Sequence, residues 1–180
     1  GKPRWFAGVT VCNGKLYVIG GRDKPVGGVN DIQPYNAHRL DSDGSTVYVA
    51  FREVWVCDLE NGQWKELERP PRAFGCEAFT VKDRWIVMTG GDSSVVYPEG
   101  VSVAIKSYEY ELDFLCYSDE VWALDTRTNK WSCLDPLPYG VCSHRVATWN
   151  DRVFTIGNEI VDNQRSNAYG TVFEGIIEII

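Results

Sequence analysis

The sequence lacks the residue clusters on which most catalytic and metal sites are built. It contains two histidines, His38 and His144, and no Ser/His/Asp or HExxH arrangement. Its six cysteines form no CxxC pair and show no metal-ligand spacing. These absences predict a protein without a bound metal ion or cofactor, and they argue against an enzyme.

Long apolar runs and clustered positive charge are also missing. No segment is long enough to span a bilayer, and no signal-peptide pattern is present. The net charge of −7 disfavours a nucleic-acid partner, because phosphate binding needs clustered Lys and Arg. No Asn lies in a glycosylation sequon, and the cysteines are typical of free thiols in a reducing compartment. We therefore expect a cytoplasmic protein with neither a membrane nor a nucleic acid as partner.

What the sequence does contain is an internal repeat. A shift of 70 residues superposes Gly20-Gly21 on Gly90-Gly91. A shift of 67 residues superposes seven further positions: Val54, Trp55, Asp58, Trp64, Leu67, Pro71 and Gly90 on Val121, Trp122, Asp125, Trp131, Leu134, Pro138 and Gly157. Such a period indicates an array of similar units, none of which can bury its hydrophobic face alone.

Each unit begins with two β-type runs joined by a tight turn. The turns are expected at Asn13-Gly14, Asp83-Arg84 and Asn150-Asp151, of which Asn-Gly is the strongest hairpin signal. The second run is apolar on both faces, as in Leu16-Tyr17-Val18-Ile19, which is typical of a strand covered on both sides. Glycines that permit unusual backbone angles end these runs at Gly20, Gly21, Gly90, Gly91 and Gly157.

Two further strands complete the unit. A third strand ends at Asp58 or Asp125, which are predicted to accept backbone hydrogen bonds in a turn. A fourth strand contains Trp64 or Trp131 and stops at prolines, which cannot donate to a ladder. Each complete unit is therefore predicted to be a four-stranded antiparallel meander.

The segments "LYVIGG…VWVCDLENGQWKEL" and "WIVMTGG…VWALDTRTNKWSCL" resemble kelch repeats, whose family fold is the β-propeller. The chain departs from the family pattern where the kelch tyrosine is replaced by Cys57 and Leu124, and its units exceed the usual ~50 residues. The resemblance implies an all-β chain of kelch-type blades, with these bounds: blade 1 at 1–71 (insert 22–46), blade 2 at 72–138 (insert 92–120) and a partial blade 3 at 139–180.

Two and a half blades do not close a propeller, which typically needs four to eight. We therefore expect an incomplete propeller, a fragment whose ring is completed by the rest of the propeller or by another chain. The alternative is a half-propeller that closes its ring by self-association.

The excess length of the units predicts where the chain binds its partner. The segments 22–46, 92–120 and 159–170 follow the second strand of each blade and emerge on one side, and binding residues concentrate on such loops. The resemblance implies that this face holds peptide motifs, often acidic ones, and Arg72 and Arg145 are the preferred carboxylate ligands. The candidate binding residues are Arg4, Arg22, Arg72, Asp92, Ser93, Tyr139, Ser143, His144 and Arg145.

Three functions remain open at this point. The first is a protein–protein interaction module, in which the propeller segment acts as adaptor or scaffold through its insertion-rich face. The second is a fragment of a kelch-type enzyme, either a copper-radical oxidase or a sugar mutarotase. The third is a structural subunit that docks into a large complex through its inserts.

Overall fold

The computed structural model describes residues 4, 6–21, 46–71, 77–91, 94–96, 102–106, 117–150, 152–162, 165–176 and 178. Within these ranges the chain forms antiparallel β-strands and no helix. Consequently, the described residues include no helix with the length and apolar character needed to cross a membrane.

The first two blades are complete four-stranded sheets. In blade 1 the strands pair in the order β1-β2-β4-β5, with bounds Gly8–Cys12, Lys15–Ile19, Val54–Asp58 and Trp64–Glu66. The strand β3 (Thr46–Ala50) precedes β4 in the chain but belongs to a different sheet. In blade 2 the strands pair as β6-β7-β10-β11, with bounds Glu77–Val81, Trp85–Thr89, Val121–Asp125 and Lys130–Leu134. The predicted meander is therefore confirmed in both.

Blade 3 has three described strands, β12 (Arg145–Trp149), β13 (Arg152–Asp162) and β14 (Arg165–Ile176). The alignment of residues 171–180 with the start of the third strand of blade 1 predicts the third strand there, whereas β14 begins six residues earlier. The segment 159–170, predicted as an insert, instead continues the β13–β14 ladder beyond a register shift between Ile156 and Asn158.

The segment between β2 and β4 of blade 1 and the segment between β7 and β10 of blade 2 together build a small additional sheet, and its strand from blade 1 extends four residues past the predicted insert 22–46. Its order is β3-β9-β8, where β8 is Ser94–Val96 and β9 is Ser102–Lys106. The strand β3 comes from blade 1 and runs antiparallel to β9 from blade 2, with Thr46 opposite Lys106. The alternating pattern of residues 101–115 predicts a hairpin, and β9 is the part of that segment that falls on described residues. The Gly-, Pro- and Asn-rich segment 23–43 is predicted to be irregular and lies outside the described residues.

The blades pack face to face through alternating side chains. In β7, Ile86 and Met88 join the core shared with blade 1, whereas Val87 joins the core shared with blade 3. The apolar run is thus covered on both sides, as its composition predicts. The junction of blades 1 and 2 buries Cys12, Tyr17, Ile19, Val54, Val56, Ala78, Ile86, Met88 and Leu124.

Apolar side chains are exposed on the two outer faces of the array. Blade 1 exposes Val9, Val11 and Trp64, which the strand register places on the face pointing away from blade 2. On the opposite outer face, blade 3 exposes four large apolar residues: Trp149, Ile156, Val172 and Ile176. Exposed apolar residues on both outer faces are consistent with an incomplete propeller. What completes the ring stays a prediction.

One of the predicted turns is wrong in length. Asn13-Gly14 is the expected two-residue turn, and both residues have positive φ, 49° and 69°. The turn predicted at Asp83-Arg84 has three residues, because Val81 pairs directly with Trp85. Lys82 and Asp83 both adopt positive φ there, a conformation that is enriched for Asp but uncommon for Lys.

Candidate functional site

The strand register places the starts of the first strands on the same side as the inserts. Glu77 opens β6 and lies opposite Thr89, the last residue of β7 before the insert of blade 2. Arg145 opens β12 and lies in the corresponding place opposite Ile156. The strand β6 also contacts both β1 and β12, so the first strands are neighbours across the blades. Glu77 and Arg145 therefore lie at the inner, insert-bearing edge.

An ion pair joins these two residues across the junction of blades 2 and 3. The Arg145 guanidinium donates to Glu77 Oε1 and also to the main-chain carbonyl of His144, 3.2 Å away. The side chain of Arg145 is 79% exposed and that of Glu77 is 28% exposed. A pair this open to solvent contributes little to stability, and both groups are accessible to a ligand.

His144 directly precedes Arg145 in the chain and is 1% exposed. Its Nε2 atom shares a hydrogen bond of 2.8 Å with the Thr89 hydroxyl, and its buried Nδ1 atom has no hydrogen-bond partner among the described residues. Burial, together with the charge of Arg145, lowers the pKa of His144 to about 4. The imidazole is therefore neutral near pH 7 and adds no charge to the Glu77–Arg145 pair.

Gly90 allows this histidine to pack closely. It has φ of 59°, and a Cβ atom there would lie 2.6 Å from the Val141 carbonyl oxygen and 3.0 Å from His144 Cε1. The repeat glycines Gly20, Gly21, Gly91 and Gly157 also have positive φ, as their residue type suggests.

Two other candidates near this edge make contacts within the protein. Ser143 has φ of 55° and donates to the Cys142 sulfur at 3.9 Å. Tyr139 lies 3.5 Å from the Thr171 hydroxyl through its own hydroxyl, and its ring meets Phe173 edge-on at 4.7 Å. Their binding role stays a prediction.

Arg4 is held at the edge of blade 1. Its guanidinium donates to the Gly20 carbonyl at 2.9 Å and lies 3.8 Å from Glu53 Oε2. It also lies 4.7 Å from the ring of Phe51, and its side chain is 10% exposed. The Arg4 guanidinium therefore already has hydrogen-bond, ionic and ring partners within the protein. The other candidates, Arg22, Arg72, Asp92 and Ser93, lie outside the described residues, and their role also stays a prediction.

The two turn aspartates have different environments. Asp58 accepts hydrogen bonds from the main-chain N–H of Glu60 and Asn61, as predicted. Asp125 accepts from the main chain of Arg127 and forms a two-pronged ion pair with Arg84, at 3.1 and 2.6 Å. Arg84 holds the pKa of Asp125 well below its usual range. Asp125 is thus a structural residue, and its pairing with Arg84 was not predicted from the sequence.

The two repeat tryptophans also differ. Trp131 packs against the core between blades 1 and 2, whereas Trp64, on the outer face of blade 1, is 52% exposed.

A groove of about 630 Å³ separates blades 2 and 3. It is distinct from the ion pair, and neither Glu77 nor Arg145 lines it. Its apolar walls include Phe79, Val87, Val153 and Phe173, and its rim carries Asp135. In the part of the chain that the structure describes, no group of His, Cys, Asp and Glu side chains could hold a metal ion.

Sequence reasoning missed Glu77. Its signal was weak, because a lone Glu at the start of a strand is usually a solvated residue. Only the contact between β6 and β12 across a blade junction brings it to Arg145, and that contact follows from the propeller geometry.

Four-stranded antiparallel blades stacked face to face define the chain as a β-propeller, and an incomplete one. Its fold is similar to that of a solved protein titled "Structure of YjhT", with a TM-score of 0.61 and 16% identity, over 94% of this chain and 52% of that chain. The kelch motif model matches residues 3–36. The resemblance to kelch propellers is thereby confirmed.

Curated relatives are similar over 99% of the chain. They are named N-acetylneuraminate epimerase, from Yersinia pestis (strain Pestoides F) and Yersinia pseudotuberculosis serotype O:1b (strain IP 31758), and each is 27% identical over 197 residues. The chain spans 45% of the length of these relatives. The expectation that the protein is not an enzyme is wrong as it stands, because these relatives are named as enzymes. That expectation relied on known catalytic motifs, whereas a propeller can assemble a site from single residues of different blades.

Proposed function

We propose that this chain is part of a kelch-type sugar epimerase whose substrate carries a carboxylate, of the N-acetylneuraminate class. The observation that carries the proposal is the Glu77–Arg145 pair, which lies exposed at the inner, insert-bearing edge of two neighbouring blades. The similarity to proteins named N-acetylneuraminate epimerase supports it. This is the mutarotase-type alternative considered from the sequence; the oxidase alternative has no support in the described residues.

Arg145 has the chemistry needed to hold the substrate's carboxylate. A guanidinium binds a carboxylate through two parallel hydrogen bonds, a geometry that a lysine cannot provide. The group is already paired with a carboxylate, that of Glu77, so the site has the charge that such a ligand requires. A bound sugar acid would take the place of Glu77 beside Arg145.

Glu77 would then be free to act on the sugar. The anomeric carbon of a free sugar inverts when its hydroxyl loses a proton, the ring oxygen gains one, the ring opens and the chain recloses on the other face. A carboxylate within reach of these oxygens can accept and return the proton. We assign this acid–base role to Glu77.

His144 and Thr89 act as positioning residues. The main-chain carbonyl of His144 accepts a hydrogen bond from Arg145, and the imidazole is tied to Thr89. Because the ring is neutral and buried, it supports the arginine without competing for an anionic ligand.

The test follows interconversion of the α and β anomers of N-acetylneuraminate by NMR, with the natural polypeptide that carries this chain. Glu77→Gln should lower kcat by roughly 10²-fold, the usual contribution of general acid–base catalysis. Arg145→Gln should mainly raise KM.

Arg152→Gln is the matched control, because Arg152 also forms an exposed pair with a glutamate, Glu174, but at the opposite edge of blade 3. It should behave as the unaltered protein. An absence of catalysed interconversion, or full activity in Glu77→Gln, would disprove the proposal.

Protein binding by the same face is a second candidate function, as adaptor, scaffold or docked subunit. It is favoured by the sheet that β3, β8 and β9 form from the inserts of two blades. An acidic peptide motif could also pair with Arg145. Affinity purification should compare the intact chain with a deletion of residues 101–115; an unchanged set of partners would eliminate this candidate. A cytoplasmic location stays part of this proposal.

A further inference from the structure

The chain adopts a left-handed backbone conformation where it turns into the first strand of a blade. Ser143, two residues before the start of β12, has φ of 55°, and Phe6, two residues before the start of β1, has φ of 52°. In blade 2 the sequence has Gly75 two residues before the start of β6. The conformation recurs in blades 1 and 3, so it belongs to the turn and does not by itself mark a site.

Glycine is the residue type that such a turn favours. A residue with a Cβ atom loses free energy in the left-handed region, whereas glycine does not. Serine is also not one of the types, Asn, Asp and His, that are enriched there. Ser143 therefore keeps a side chain at a position where that side chain strains the backbone. Strain of this kind is retained mainly at functional sites.

The contacts of Ser143 within the protein do not account for its hydroxyl group. The residue is exposed, and among the described residues its hydroxyl has one hydrogen-bond partner, the Cys142 sulfur at 3.9 Å. A thiol sulfur is a weak acceptor. The hydroxyl can therefore leave this contact for a stronger acceptor on a ligand.

Ser143 lies beside the group assigned above to the substrate's carboxylate. It stands two residues before Arg145, so their Cα atoms are at most about 7 Å apart. The Nη1 atom of Arg145 donates to the His144 carbonyl at 3.2 Å as well as to Glu77 Oε1, which places the guanidinium against the main chain next to Ser143. An anion that replaces Glu77 beside Arg145 is therefore bordered by Ser143 as well.

We propose that Ser143 is a second ligand of the substrate's carboxylate, beside Arg145. The inference rests on the proposed epimerase function and adds to it a residue that selects for a sugar acid. A carboxylate offers about four lone-pair sites, and a two-pronged arginine fills two of them. The Ser143 hydroxyl leaves Cys142 and donates to a third. Binding of the substrate thus explains why a strained serine stands in blade 3 where the sequence of blade 2 has Gly75.

The first test measures binding without turnover. The natural polypeptide that carries this chain is titrated with the α and β methyl glycosides of N-acetylneuraminate, which carry the carboxylate but cannot interconvert, and binding is followed by isothermal titration calorimetry. Ser143→Ala should weaken binding roughly 10-fold or more, since a hydrogen bond to a charged group is lost. In the NMR assay of anomer interconversion, this variant should raise KM and leave kcat nearly unchanged, because Ser143 has no acid–base role.

Ser143→Gly separates the binding role from a structural one. It removes the hydroxyl as alanine does, but it also relieves the left-handed strain. It should therefore bind the glycoside as weakly as Ser143→Ala and yet unfold at a higher urea concentration than Ser143→Ala.

Lys82 is the matched control, because it is an exposed non-glycine residue with φ of 51°, located in the turn between β6 and β7 at the opposite edge of the blade. Lys82→Gly should likewise unfold at a higher urea concentration than Lys82→Ala. Both Lys82 variants should bind the glycoside as the original protein does.

A double substitution tests whether Ser143 and Arg145 hold the same group. If both contact the carboxylate, loss of the Ser143 hydroxyl should weaken binding less in the Arg145→Gln protein than in the original protein. Independent losses would show that Ser143 contacts a different part of the sugar and would overturn the assignment.

The remaining outcomes distinguish this inference from the function on which it rests. Unchanged glycoside binding in Ser143→Ala and Ser143→Gly would overturn the role of Ser143 and leave the epimerase proposal standing. If the original protein binds neither glycoside, both proposals fail.

Discussion

The hydroxyl groups of Thr10 and Thr80 lie 3.0 Å apart and share a hydrogen bond between the first strands of blades 1 and 2. Thr80 donates its own proton to the Val11 carbonyl at 2.8 Å, so Thr10 is the donor between the two hydroxyls. The two residues hold the same position in successive units, 70 residues apart. Both partners of this hydrogen bond are therefore threonines, and the bond links blades 1 and 2 at their inner edge.

Substitution of these threonines should give unequal losses. Thr80→Val removes two hydrogen bonds, to Thr10 and to Val11, whereas Thr10→Val removes one. With roughly 1 kcal/mol for each, we expect a loss of about 2 kcal/mol for Thr80→Val and about 1 kcal/mol for Thr10→Val. Urea denaturation measures both; equal losses would show that the bond to the Val11 carbonyl contributes nothing.

The two turn aspartates should also respond differently. Asp125→Asn retains the turn contact to Arg127 but loses the charged pair with Arg84, and should cost about 1.5–3 kcal/mol. Asp58→Asn keeps an acceptor for the same kind of turn and should cost less than about 0.5 kcal/mol. Because Arg84 lowers the pKa of Asp125, the contribution of Asp125 is present above its ordinary pKa of 3.8 and is lost at lower pH. Thermal unfolding at pH 7 compares the variants; similar melting temperatures would contradict the assignment.

Alanine substitutions at Gly90 and Gly157 should separate the stability cost of backbone strain from that of steric overlap. Both have φ of 59°, but a Cβ atom overlaps the Val141 carbonyl at Gly90 and meets nothing within 4 Å at Gly157. Gly157→Ala should cost about 1 kcal/mol for the left-handed backbone. Gly90→Ala should cost roughly 1–3 kcal/mol more, because the junction of blades 2 and 3 must move. If the two alanine variants unfold at the same urea concentration, the atoms around Gly90 move to relieve the overlap without loss of stability.

The stability of the chain should fall between pH 6.5 and 4 because of His144. Its pKa in the folded chain is about 4, against 6.5 for the free side chain. Protonation therefore favours the unfolded state: the contribution of the neutral ring is complete above pH 6.5 and lost as the pH falls toward 4. The loss reaches roughly 3 kcal/mol, from 1.36 kcal/mol for each pKa unit.

His144→Gln is the control for this pH effect, because an amide retains an acceptor for Thr89 and does not titrate. The variant should be less stable than the original chain at pH 7 and should lose less stability down to pH 4. Parallel stability curves for the two proteins across this range would show that His144 does not carry the effect.

The repeat predicted the blades because their strands depend on local patterns. Turn residues such as Asn13-Gly14 and the apolar second strands have signatures that one sequence can show. The three-residue turn at 82–84 was missed, since it contains no glycine and Lys82 adopts a positive φ that is uncommon for its residue type.

The candidate site was predicted only in part. Arg145 was chosen because the starts of first strands face the inserts, and the structure places it there. Glu77 was missed because its meaning depends on a residue 68 positions away in another blade. Arg4 was chosen for its charge, and the sequence did not predict its contacts with Gly20 and Phe51; its binding role stays a prediction.

The pairing of β3 with β9 has a consequence for how the chain unfolds. In most repeat proteins each unit touches its neighbour through one interface, and the free energy of unfolding is close to a sum of local contributions. Here the strand at 46–50 is hydrogen-bonded to the strand at 102–106, so a second connection joins the same two units. Blades 1 and 2 should consequently unfold as a single cooperative block. Shortening one of the two inserts would expose an edge on the other, so their lengths should change together in evolution.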